Sequence, residues 1–177
     1  MIVLTTLKQK DLAAVSAQQL LSDHNNSPLD IQRFDLYTLS GEFTQHDMAM
    51  AVRDSYIFSN PNKHHLILDH SHLLHDQQLF AHVVRQTPLN LTAKVDLLNH
   101  RLGSGSVSHV FHSELWAFTH SNEFELNDTD YINTLIMSSS DGIAPFAHPL
   151  IHHVTLMRLN DLHQMMGVFT SSNTHDA

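Results

Sequence analysis

The sequence predicts a single α+β domain built mainly on antiparallel sheet. Short β-prone runs recur along the chain, while helical spacing of apolar residues appears in only a few places. Turn signals rich in Gly, Pro, Asn and Ser separate the runs. The chain has 177 residues, a length that suits one domain, with two small ones possible. Hydrophobic residues make up 42%, enough for a core and too many for a disordered chain.

In order, Ile2 to Leu7 reads as a short strand. Asp11 caps an expected helix carrying Ala13, Ala17, Leu20 and Leu21 at +4, +3 and +1 steps. Ser22 to Pro28 is a loop by composition, and Ile31 to Leu39 is a strand closed by Ser40-Gly41. The stretch 44–58 suits either element. Met48, Met50 and Val52 alternate, but Met48, Ala51, Val52 and Tyr56 fit a helix with Thr44 and Asp47 as a capping pair. Propensity favours the helix. His64 to Asp69 is a compact strand.

His75 to Gln86 reads as a helix stopped before Pro88, with Leu79, Phe80, Val83 and Val84 as its apolar side. Leu89, Leu91, Ala93, Val95 and Leu97 alternate with polar residues and predict a strand. Gly103-Ser104-Gly105 is a turn, and Val107 to Thr119 is strand-like. Tyr131 to Met137 leads into the hairpin signal Ser140-Asp141-Gly142, and Ile143 to Leu156 is again extended. Residues 1–28 are therefore read as a strand-and-helix extension, 29–169 as the α+β domain and 170–177 as a flexible tail.

An offset of 88 aligns Phe58 with Phe146, Pro61 with Pro149, and His64-His65 with His152-His153. It is compatible with two ferredoxin-like halves. Against that, residues 98–110 hold a Gly-Ser turn where the second half needs its first helix.

Nine Lys and Arg, scattered singly against 18 Asp and Glu, give a formal charge of -9 and no basic stripe for nucleic acid. No run approaches the ~18 apolar residues of a spanning helix, and the start lacks the features of a signal peptide. A soluble cytoplasmic protein is the expectation, with no membrane partner and no cofactor. Cysteine is absent, which excludes disulfides, thiolate metal sites and a cysteine nucleophile. Histidine numbers 17. Free His titrates near pH ~6.5, so the net charge collapses as pH falls towards that value.

The densest His cluster is Asp69-His70-Ser71-His72-Leu73-Leu74-His75-Asp76. No metal site is assigned, but His70, His72 and His75 would be its ligands if metal were bound, since i,i+2 ligands on a strand share a face. The spacing resembles the metal motif of metallo-β-lactamase-like hydrolases, with Leu74 where that motif has Asp. His64-His65-x-x-x-Asp69 resembles the HHxxxD motif of chloramphenicol acetyltransferase-like acyltransferases, with His70 where those families usually have Gly.

The most extended pattern is colinear. A strand ending at Gly41 precedes Asp47 to Val52. Then come His75-Asp76-x-x-Leu79-x-Ala81-x-x-x-Arg85-Gln86 and several stretches of sheet. This resembles the A-factor biosynthesis hotdog family over roughly residues 30–158. The resemblance implies an antiparallel sheet wrapped around a central helix at 75–86, with 47–58 as a strand. It implies a homodimer that handles acyl thioesters, as a transferase, thioesterase or dehydratase. Carried over, His75, Asp76, His82 and Arg85 are the candidate catalytic residues, and Gln78 and Gln86 the substrate-binding ones. His82 stands where the family typically has Glu. It would serve as base, with Arg85 stabilising developing negative charge.

The rival is a non-catalytic binding or assembly protein of two ferredoxin-like halves. Asn60-Pro61 and His148-Pro149, each before a strand, distantly resemble the small purine-synthesis subunit that bridges enzyme partners. A helix at 44–58 packed beside the helix at 11–21 would favour this rival, and a strand there the hotdog.

Overall fold

The computed structural model describes residues 1–25, 29–68, 78–120 and 151–171. Six strands are present there: β1 (Ile2–Leu7), β2 (Leu29–Gly41), β3 (His64–Ile67), β4 (Gln78–Arg85), β5 (Val107–His120) and β6 (His152–Arg158). Four helices accompany them: α1 (Leu12–Asn25), α2 (Gln45–Ser55), α3 (Thr92–Leu102) and α4 (Leu159–Ser171). The strands form one open sheet in the order β3-β1-β2-β5-β4-β6, with every neighbouring pair antiparallel. The α+β class with antiparallel sheet is as the sequence indicates. None of the described helices is long and apolar enough to cross a membrane.

Alternation along the strands sorts the core into two faces. One face carries α1, α2 and α3. There Ala14, Ala17 and Leu21 of α1 pack with Ile31, Leu79, Ala81, Val83, Trp116 and Phe118. Beside them, Met48, Ala51 and Val52 of α2 and Leu98 of α3 pack with Met1, Val3, Leu39, Val107 and Val110. The other face carries α4, which lies against β4 and β6 and whose Leu159 and Leu162 join a buried cluster with Ile2, Leu4, Phe34, Leu36, Phe80, Leu115 and Ala117.

Two expected elements are exchanged. The helix expected at 75–86 is strand β4 over Gln78–Arg85. It lies inside the sheet and is apolar on both faces: Leu79, Ala81 and Val83 join one cluster and Phe80 the other. Consecutive apolar residues of a doubly covered strand imitate helical spacing. The strand expected at 89–97 is instead α3, whose Leu91, Val95, Leu98 and Leu102 recur at +4, +3 and +4 in one cluster. The competing alternation has no packing behind it, since Leu97 is 55% exposed.

The 44–58 stretch is the helix that propensity favours, with Thr44 Oγ1 accepting from Asp47 N at its N-terminus. It packs beside α3. The hotdog arrangement needed a helix at 75–86 and a strand at 47–58; the described parts of these segments have the opposite assignment. The hairpin at 131–142 lies outside the described residues. Nothing in the sequence reading anticipated α4.

Among the described residues the strands fall into two sets of three with one arrangement. Strand β1 lies between β3 and β2, and β4 lies between β6 and β5. Helix α1 joins β1 to β2, and α3 joins β4 to β5. The long strands β2 and β5 pair along the seam. Aligning Asp35-Leu36-Tyr37 with Glu114-Leu115-Trp116 sets an offset of 79 between them. Leu4 pairs with Leu36, and His82 pairs with Leu115, so Leu4 and His82 are counterparts. Leu4 also pairs with Ile67, and His82 with Thr155, which reproduces the offset of 88. The helix that the second half appeared to lack is α3.

At the end of the seam the register shifts between Ser40 and Gly41. Gly41 has φ +150°, and a Cβ there would lie 2.1 Å from the Ser106 carbonyl oxygen. Only glycine permits that approach.

Candidate functional site

Beside α4, on the same sheet face, lies a cavity of about 210 Å³. Leu36 and Thr38 of β2, Phe111 and Ser113 of β5, and His82 and Val84 of β4 point to this face by alternation and line it. Met165 of α4 and the Pro88-Leu89 segment also line it. The walls are mainly apolar, with one embedded polar pair. His82 Nε2 and Ser113 Oγ lie 2.8 Å apart and share a hydrogen bond whose donor follows the His tautomer. Ser113 is 8% exposed. Burial, then the neighbouring His153, pushes the His82 pKa below its ordinary 6.5. The ring is therefore neutral at pH 7, when one nitrogen can accept a proton.

The counterparts of His82 and Ser113 in the first half are Leu4 and Phe34. Both are buried apolar residues of the cluster that α4 joins. The framework is thus closed by an apolar pair in one half and opened by a polar pair in the other.

Of the expected site residues, His82 is inside this cavity. Arg85 lines it but is exposed, and as the last residue of β4 it alternates to the opposite sheet face from His82. The two side chains are therefore not set to converge on one carbonyl. Gln86 is exposed, and its backbone N donates to the Ile151 carbonyl. Gln78 opens β4, paired with Thr119. His75, Asp76, His70 and His72 lie outside the described residues. Among the described residues no group of three His, Asp or Glu is placed to hold a metal. Ser113 was not anticipated. Its signal is a small hydroxyl residue at an inward position of β5, in register with Phe111, Leu115 and Ala117.

The opposite sheet face carries a second polar array, astride the seam. Arg33 Nε donates to Asp11 Oδ2 at 2.8 Å, and Arg33 Nη1 lies 3.6 Å from Glu114 Oε1. Its guanidinium stands 5.7 Å from the Trp116 ring. Across the seam, His112 Nε2 lies 3.2 Å from Asp35 Oδ1, and its ring 4.9 Å from Tyr37. At the offset of 79 these two groups are counterparts: a base, an acid and an aromatic ring on each side.

Burial alone would raise the Asp35 pKa. The His112 hydrogen bond, with the charges of His112, Arg33 and His64, outweighs it and holds that pKa below the usual carboxylate value. Burial, with Asp35 nearby, pushes Tyr37 up to about 12. Burial lowers the pKa of Lys94, which donates to the Ile57 carbonyl and lies 5.0 Å from the Phe58 ring. These acids and bases are matched to one another, so the array clamps the seam. A wide, open groove between α2 and α3 mixes charged residues, Glu42, Asp47, Asp54 and Arg101, with apolar ones such as Met50 and Leu102. The cavity at His82 is the better ligand site, because its few polar groups are set in apolar walls.

Compared with family models, curated proteins and solved structures, the chain matches none of them.

Proposed function

We propose that the protein is a fused pair of ferredoxin-like halves that binds a small apolar-tailed acyl compound, an ester or thioester, in the cavity beside His82. The first half follows the order of the β-α-β-β-α-β unit with one strand fewer, and the described strands and first helix of the second half repeat it. The observation that carries the ligand reading is a neutral His–Ser pair at the base of an apolar cavity. Such a pair offers hydrogen bonds to a carbonyl while the walls take the alkyl part.

Size narrows the class. At roughly 30 Å³ per water in the liquid, the cavity holds the volume of about seven waters. That suits a short acyl chain. Each added methylene should contribute about 0.8 kcal/mol, close to fourfold in affinity, until the cavity is full. The test is calorimetric titration with N-acetylcysteamine thioesters of increasing acyl length, against wild type and Val84→Trp. Affinity should rise steeply, then level off, and the variant should bind at least tenfold more weakly. Affinity independent of chain length, or untouched by Val84→Trp, would count against this site.

A further inference from the structure

We propose that Ser113 is an acyl acceptor and His82 its general base, so that the cavity hydrolyses short acyl esters or thioesters through an acyl-serine. This rests on the ligand reading above and adds turnover to it. The geometry is the 2.8 Å contact between Ser113 Oγ and His82 Nε2, facing an apolar cavity. A serine nucleophile needs a base at that distance.

The same bond satisfies a hydroxyl that burial would otherwise strand. Satisfaction alone does not account for the pair, because Leu4 and Phe34 fill the counterpart positions without any polar group. The polar pair is a departure from what this framework needs, and such departures concentrate at functional sites.

The step balances within the named groups and water. With Nδ1 carrying the ring proton, Ser113 O–H donates to Nε2. As Oγ attacks the acyl carbon, that proton passes to Nε2 and the carbonyl oxygen takes the electron pair. Thr38, on the same sheet face and lining the same cavity, supplies a hydroxyl donor for that oxygen. Collapse breaks the bond to sulfur or oxygen, and the leaving group takes the proton from His82. Water then attacks the acyl-serine with His82 again as base, releasing the carboxylic acid and restoring Ser113.

The experiment treats the intact protein with p-nitrophenyl butyrate and, separately, with phenylmethylsulfonyl fluoride, locating any adduct by peptide mass spectrometry. The expected result is one adduct per chain on Ser113 and turnover of the ester. Ser113→Ala should remove both, and His82→Leu should slow both at least 100-fold. Thioester titration runs in parallel. Wild-type protein that binds short thioesters yet forms no adduct and turns over no ester would overturn the acyl-serine while leaving the binding reading in place. Labelling elsewhere than Ser113, or turnover undiminished in Ser113→Ala, would overturn it equally. Absence of both binding and turnover would overturn the two readings together.

Discussion

In the first half, Leu4 and Phe34 close the α4 face of the sheet with apolar bulk; in the second, His82 and Ser113 occupy the same two places and leave a cavity. The strand order, connecting helix and seam are otherwise shared. The first half shows what the framework requires for packing. The second shows what can be exchanged once that packing is supplied by the neighbours. The difference separates residues that hold the sheet from residues available for chemistry.

The largest expected break in this comparison is in stability. Phe34→Ala should cost about 3–5 kcal/mol, the usual range for a buried Phe, whereas Ser113→Ala should cost no more than about 1.5 kcal/mol, a lost hydrogen bond. Urea denaturation of both variants measures the contrast. Similar costs would mean that the two positions carry equal packing.

A smaller effect of opposite sign is expected at Thr5. Its buried Oγ1 has no hydrogen-bond partner among the described residues, and its counterpart on β4 is Val83. Thr5→Val should stabilise the protein by about 1 kcal/mol by removing an unsatisfied hydroxyl. A drop in the unfolding midpoint would show that Thr5 has a partner after all.

The pH dependence sharpens the comparison further. Burial and His153 depress the His82 pKa, so on acidification the unfolded chain takes up the proton first. This contribution to stability is whole above about pH 6.5 and is lost as pH falls through the folded value. Among the described residues His153 on β6 is the charge that acts on it; Arg85 and His112 also line the cavity, but His112 is turned to Asp35 and Arg85 alternates to the other sheet face, while β5 and α4 present Ser113 and Met165. Leu4 has no such dependence. His82→Leu should therefore flatten the fall in melting temperature between pH 7 and 5, and an unchanged profile would contradict the depressed pKa.

The smallest effect is expected at the seam. Arg33→Met removes partly exposed ion pairs with Asp11 and Glu114, and should cost about 0.5 kcal/mol, less in high salt. A salt-independent loss would point to packing against Trp116 instead.

Much of the first half was legible. Strand β1 has the expected bounds, and Asp11 and Thr44 cap α1 and α2 as their side chains suggest. The second half misled at Leu79 to Arg85 and at Leu89 to Leu97. In the first segment, burial on both sheet faces erased the period of two. In the second, a period of two had no packing behind it and concealed the helical row Leu91, Val95, Leu98 and Leu102. Sequence alone could not decide which periodicity tertiary packing would use. His82 was found for a reason that did not survive, as part of a helix motif. Ser113 was not found, because a lone serine in a strand acquires meaning only from the ring opposite it.

Helix α4 shares one buried cluster with residues of both halves, Leu4 and Leu36 from one and Phe80 and Leu115 from the other. At the offset of 88 its residues correspond to 71–83, a stretch that already runs into strand β4, so the first half has no room for a matching helix. Two identical subunits could not adopt this arrangement, since any residue placed in one copy appears in the other. Joining the halves in one chain permits one cover and one opening. Ligand stoichiometry should accordingly be one per chain, and the seam cannot come apart on dilution because its two strands are held at the effective concentration of a covalent link.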